Sequence, residues 1–137
     1  MRKILLAAMI SATCVCAEEA LAAPFLWSDN GHYYELSDES MDWEDAKDDA
    51  AGSDYLGLPG HLATVTSLSE NSFILDMLQD DYAFFSSVYL GGFQPAGSGE
   101  PAGGWSWVTG EPFVFTKWVS GEPNEAGVED VLQMYAS

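Results

Sequence analysis

The sequence predicts an α+β domain with both helices in its first half. Three observations lead there. Apolar residues recur at helical spacing in two stretches, Trp43/Ala46/Ala50 and Phe73/Ile74/Met77/Leu78. Short runs rich in aromatic and β-branched residues flank and separate them. Beyond residue 94 the chain turns to Gly, Pro and Ala between brief alternating runs, the mark of an irregular, loop-rich half. At 137 residues there is room for one domain and not for two.

Each element follows in chain order. "MRK" is basic, "ILLAAMISA" is apolar, and Ala20-Leu21-Ala22 is a small-x-small cleavage pattern, so residues 1–22 read as a secretory signal peptide. A buried N-terminal helix is the alternative, and the Arg-Lys start and Ala-rich end speak against it. The apolar run is too short to span a bilayer. Cys14 and Cys16 fall inside this segment without a lipobox before them, so the domain proper, residues 23–137, is expected to hold no cysteine, no disulfide and no lipid anchor. "FLWSDNGHYYEL" reads as a strand interrupted by an Asp29-Asn30-Gly31 turn. Ser40 is the expected cap of the first helix, with Asp42 and Glu44 suiting its positive end. "HLATVTS" reads as a short strand running into Ser67-Leu68-Ser69-Glu70, a capping box for the second helix. "SVYLGGF" is a core strand and "QPAGSGEPAGG" a surface loop. "WSWVTG" alternates, "FVFTKWV" does so less cleanly, and "VEDVLQMY" begins another strand.

Charge narrows the function. The net charge is −18, and losing residues 1–22 removes Arg2, Lys3, Glu18 and Glu19 without changing it, leaving Lys47 and Lys117 as the cations. Such a surface repels nucleic acid and anionic lipid, so neither is an expected partner. It suits cations, a salty habitat or plain solubility. No Ser-His-Asp arrangement, phosphate-cradling loop or Cys/His metal spacing is visible, which points away from an enzyme. Glu100, Glu111 and Glu122 sit in loops, but no acid–base pair can be read from their spacing. His61 reads as structural, and the acidic run "DESMDWEDAKDD" lacks the glycine of an EF-hand loop.

The informative stretch is "SGEPNEAGVED", residues 120–130. Its ordinary reading is an acidic surface turn. Its chemical reading is a set of hard oxygen ligands, Glu122, Asn124 and Glu129, held by a stiff backbone around Pro123 and suited to Ca²⁺. Gly-Glu-Pro also occurs earlier, at residues 110–112, but Phe113 follows it where Asn124 follows the second copy. Glu111 therefore reads as a hairpin-turn residue.

"GHYYEL", Trp43 with Ala46, "GHLATVTSLSENSFI", "VYLGGFQP", "GGWSWVTGEPF", Trp118 and "GEPN" together, in this order over nearly all of residues 23–137, resemble a C-type lectin-like domain of the bacterial sort. The resemblance implies a double-loop fold of two helices and a small antiparallel sheet. It also implies a Glu-Pro-Asn calcium site for mannose- or glucose-type sugars, with Glu122, Asn124 and Glu129 as ligands of metal and carbohydrate and Pro123 preceded by a cis bond. Val131 stands where the family has a cysteine. The family's later Trp-Asn-Asp motif and last strands have no counterpart before Ser137, so the domain reads as C-terminally incomplete and its calcium site as weak. The expectation is a secreted, extracellular or periplasmic module that binds carbohydrate or a glycoconjugate. The alternatives are a calcium-independent protein- or surface-interaction module of the same fold, and a truncated copy that binds nothing.

Overall fold

The computed structural model describes residues 2–6, 23–37, 39–81, 87–124 and 129–136. The architecture is α+β, the layout of a C-type lectin-like domain. Arg2–Leu6 forms β1, Phe25–Trp27 β2, His32–Leu36 β3, Asp54–Tyr55 β4, Leu58–Pro59 β5, Ser87–Phe93 β6, Ser106–Trp107 β7 and Val131–Tyr135 β8; the helices are α1, Trp43–Gly52, and α2, Leu68–Asp81. Six strands form one sheet in the order β2-β3-β1-β6-β7, with β8 also on β6, while β4 and β5 make a separate two-stranded ribbon. All pairings are antiparallel except β1 with β6. Residues 7–22, most of the expected signal peptide, lie outside the described residues.

The β2–β3 hairpin forms as the Asp29-Asn30-Gly31 signal requires. Gly31 takes φ 77° and donates its N–H to the Trp27 carbonyl at 2.9 Å. That left-handed conformation costs glycine little, because no Cβ is there to clash. In α1, Trp43, Ala46 and Ala50 are buried as their spacing predicts. Its cap, however, is Asp42 and not Ser40: the Asp42 carboxylate accepts the Asp45 N–H at 3.0 Å. Asp42 immediately precedes the first helical residue, where a short acceptor reaches the free amides of the first turn; Ser40 lies two residues too early. The Trp43 indole N–H then donates to the Leu90 carbonyl at 2.8 Å, pinning α1 to β6.

The capping box of α2 is present in altered form. Ser67 Oγ accepts the Glu70 N–H at 3.2 Å, but the Glu70 carboxylate passes over Ser67 and takes the Thr66 N–H at 2.7 Å and the Thr66 hydroxyl at 2.9 Å. Its other oxygen accepts from the Tyr34 hydroxyl at 2.6 Å and the Asn30 amide at 3.3 Å. Glu70 is 3% exposed. A carboxylate this buried is tolerable because both oxygens are taken up by donors. Burial, followed by the bond to Glu70, drives the Tyr34 hydroxyl pKa upward, so Tyr34 stays the donor. Behind this network Tyr34, Ile74, Leu78, Val88 and Trp107 form the main core, with Phe73 edge-on to Tyr34 and stacked on Trp27. Each fully buried aliphatic such as Ile74 or Leu78 contributes about 1.5–3 kcal/mol.

"HLATVTS" does not form a ladder strand. Leu62, Ala63, Thr64 and Val65 are all buried, and the segment packs on β6 and bonds it through the Gly91 N–H to the Ala63 carbonyl at 2.8 Å without forming a strand of its own. On Gly91 the Val108 N–H also takes the carbonyl, at 2.9 Å, so β6 is shared at this point between two segments. A Cβ on Gly91 would lie 2.7 Å from Val108 Cγ2 and 2.8 Å from the Leu62 carbonyl oxygen, so only glycine lets all three backbones meet. "WSWVTG" contributes only the two residues of β7, and "FVFTKWV" no strand at all. The alternation of the latter is real, with Phe113, Phe115 and Trp118 turned inward and Val114, Thr116 and Val119 outward. Ring packing holds it instead of a ladder.

Candidate functional site

Residues 95–124 are mostly loop, interrupted by β7, and two anchors stand out. The first is Gln94, at the end of β6 and 7% exposed. Its side-chain amide donates to the Pro101 and Gly103 carbonyls at 3.1 and 2.7 Å, while its backbone N–H donates to the Asp130 carbonyl at 2.8 Å. One residue thus ties the Gly-rich loop to the chain just before β8. Its sequence position after the "GGF" of a core strand is the only signal that could have marked it. The second anchor is aromatic. Phe113 lies 4.7 Å from Trp107, 6.0 Å from Trp105 and 6.4 Å from Trp118, and Trp105 and Trp118 are 5.1 Å apart, all measured between ring centroids. These contacts are within the range of favourable edge and offset packing.

The two Gly-Glu-Pro turns hang from this scaffold. In the first, Gly110 has φ 76° and donates to the Trp107 carbonyl at 2.9 Å. Glu111 then turns back, and its Oε2 accepts from the Thr64 hydroxyl at 2.7 Å and the Thr109 hydroxyl at 2.8 Å. Partial burial works against its charge, but these two donors and the nearby His61 and His32 outweigh it and hold its pKa below the ordinary 4.5. Glu111 is more than the turn residue that its sequence suggests, since it links the loop to the buried segment at Thr64. His61 itself bonds the Leu62 carbonyl through Nδ1 at 2.8 Å.

In the second turn Gly121 has φ 102°, the Glu122 N–H donates to the Val119 carbonyl at 3.0 Å, and the Glu122–Pro123 bond is cis. The Asn124 amide donates to Glu122 Oε1 at 2.7 Å, in solvent. A carboxylate and an amide, two residues apart, are therefore presented side by side on an exposed turn. The structure brings Glu122 and Asn124 together. Glu129 follows across residues 125–128, which lie outside the described residues, and is exposed at the foot of β8. The donors are hard oxygens, the kind calcium takes, although the three side chains fall short of its six to eight ligands. Among the described residues no three His, Cys, Asp or Glu side chains converge in a metal-ligating group.

The chain is similar to two known proteins. It is 40% identical to halomucin of Haloquadratum walsbyi over 80 residues, which is 58% of this chain and 1% of halomucin. It is 29% identical to the type-2 ice-structuring protein of Brachyopsis segaliensis over 122 residues, 88% of this chain and 64% of that protein. The chain thus spans a sliver of the first and just under two thirds of the second. No protein-family model matches it, nor does any solved structure. Among the described residues no helix is long and apolar enough to cross a membrane.

Proposed function

We propose that this protein is a calcium-dependent carbohydrate-binding module acting outside the cytoplasm, with Glu122, Asn124 and Glu129 holding the ion and Pro123 shaping the turn between the first two. The supporting observation is the Glu122–Asn124 pair, joined at 2.7 Å on an exposed turn. A carboxylate and an amide together offer acceptors to a cation and acceptors and donors to vicinal hydroxyls. Glu122, Asn124 and Glu129 would hold the ion, and the ion would supply a Lewis-acidic centre for sugar hydroxyls. The chain's own part is to hold the pair in place, through the Val119–Glu122 turn and the ring cluster at Trp118, so that little ordering remains for binding. Glu-Pro-Asn, by the family resemblance, favours mannose- and glucose-type hydroxyl geometry. With three protein side chains the affinity for calcium falls at the weak end, about millimolar.

The test is retention on immobilised mannose. We expect retention in 10 mM calcium (a chosen, roughly saturating condition for a millimolar site), loss with chelator, and weakened retention for Asn124→Asp with its melting temperature unchanged. Retention that survives chelator, or that Asn124→Asp leaves intact, overturns this reading.

A second reading draws on the likeness to an ice-structuring protein across 88% of the chain. Val114 and Val119, 80% and 60% exposed in the stretch between the two Gly-Glu-Pro turns, offer small apolar groups to a flat surface. This calcium-independent surface-binding role predicts thermal hysteresis that chelator does not abolish and that Val114→Lys reduces.

A further inference from the structure

The β2–β3 turn holds a chemistry that carbohydrate binding does not use. Asn30 is followed by Gly31, and an asparagine side chain can be attacked by the backbone nitrogen of the next residue. The nitrogen adds to Cγ, its proton departs with the side-chain amide as ammonia, and a five-membered imide remains. Water then opens the ring at either carbonyl to give aspartate or isoaspartate, with nothing oxidised or reduced. A Cβ on the attacking residue crowds the closure, and Gly31 has none. The chain's other asparagines are poorer candidates, since Asn71 sits in helix α2 before Ser72 and Asn124 precedes Glu125.

We propose that Asn30 is a self-modification site, and that its deamidation unfastens the β2–β3 hairpin from α2. Each group the reaction needs is already engaged. The side-chain carbonyl oxygen Oδ1 accepts the His32 N–H at 2.8 Å, which draws electron density from Cγ and favours the charge that oxygen gains as the nitrogen adds. The departing Nδ2 donates to the Tyr34 hydroxyl at 2.9 Å and to Glu70 Oε1 at 3.3 Å. The attacking nitrogen is the group held back, because the Gly31 N–H donates to the Trp27 carbonyl at 2.9 Å. Opening of the turn therefore gates the reaction. Asn30 and Gly31 are both exposed, so water reaches the imide. The product reverses the local electrostatics. Where an amide N–H donated to Glu70, a carboxylate oxygen now stands, beside a partner that is 3% exposed. Facing carboxylates repel, and burial strengthens the repulsion. The Tyr34 hydroxyl, which donates to Glu70 at 2.6 Å, has one proton and cannot serve both acids. Isoaspartate also lengthens the main chain within the tight turn.

The test begins with the full native chain, incubated under mildly alkaline conditions and digested for peptide mapping. Asn30 should convert to a mixture of aspartate and isoaspartate well ahead of Asn71 and Asn124. Denaturing urea should speed that conversion, because it frees the Gly31 N–H. The mapping needs no variant to fold, so it decides the site by itself. Two variants then read the consequence. Asn30→Asp should lower the melting temperature. Glu70→Gln should lower it less in the Asn30→Asp chain than in the native one, since there it also removes one of two facing charges. Conversion at Asn71 or Asn124 that matches Asn30, an Asn30 rate that urea leaves unchanged, an unaltered melting temperature for Asn30→Asp, or an equal Glu70→Gln loss in both backgrounds would each overturn the proposal.

Discussion

The two Gly-Glu-Pro turns share three residues and a glycine of positive φ, but the Gly110 N–H closes the first and the Glu122 N–H the second, only the second has a cis Glu–Pro bond, and their carboxylates go different ways. At 110–112 the carboxylate is drawn inward by Thr64 and Thr109. At 121–123 it faces solvent and pairs with the amide two residues on. The residue after each proline goes with the divergence. Phe113 goes into the cluster of Trp105, Trp107 and Trp118 and carries Glu111 against the buried segment. Asn124 has no apolar surface to bury, so Glu122 stays outside with it. The same tripeptide thus serves as an inward brace in one place and as an exposed turn in the other.

The comparison can be broken from the inner side first. Phe113→Ala removes the ring that the three tryptophans share and should cost about 2–4 kcal/mol in urea unfolding, somewhat below a fully buried Phe truncation; mannose retention should fall with it, because the outer turn hangs from the same rings. Glu111→Ala leaves the buried Thr64 hydroxyl without its acceptor and should cost about 1–3 kcal/mol while sparing retention in calcium. Thr64→Val removes one of the two donors and should cost about 1 kcal/mol. Glu122→Ala should shift stability by no more than about 0.5 kcal/mol, the range for an exposed site, and abolish retention. If Glu122→Ala destabilises as much as Glu111→Ala, the two turns are not divided as their contacts indicate.

Acid sharpens the same contrast. The folded pKa of Glu111 is depressed, so its stabilising contribution is complete above its ordinary value of 4.5 and is lost as pH falls from there through the lowered folded value. A pH series of melting temperatures should therefore drop more steeply below about 4.5 for the native chain than for Glu111→Gln, which has no charge to lose.

Much of the fold could be read from pattern. The inward face of α2, the three buried residues of α1, the hairpin at Asn30-Gly31 and the core strand β6 all follow from spacing and turn chemistry, which act within a few residues of chain. What pattern missed depends on distant partners. Ser40 and Asp42 are both good caps, and only the helix start separates them. "HLATVTS" has strand composition, but whether it pairs depends on the room that Gly91 leaves between it and Val108. The Glu70 carboxylate finds Tyr34 and Asn30, some forty residues away in sequence, and no capping rule contains that. At the site, the pairing of Glu122 with Asn124 was legible because the two are neighbours. The role of Glu111 was not, since Thr64 is remote, and neither was the central place of Arg2–Leu6, whose composition signals export and not a sheet.

Gln94 has a consequence for how the molecule could be remodelled. Its amide clamps Pro101 and Gly103 while its backbone holds Asp130, so the loop is fastened at its returning limb, and the Gly103 N–H in turn holds the Gly99 carbonyl at 2.7 Å. A side chain could replace Gly99, where a Cβ would meet open space, and it would ride on an intact base. An insertion between Pro101 and Gly103 would pull the clamp apart and loosen the start of β8 with it. The molecule therefore offers a position for decoration a few residues from one where added length would undo a clamp, and a single glutamine draws the line between them.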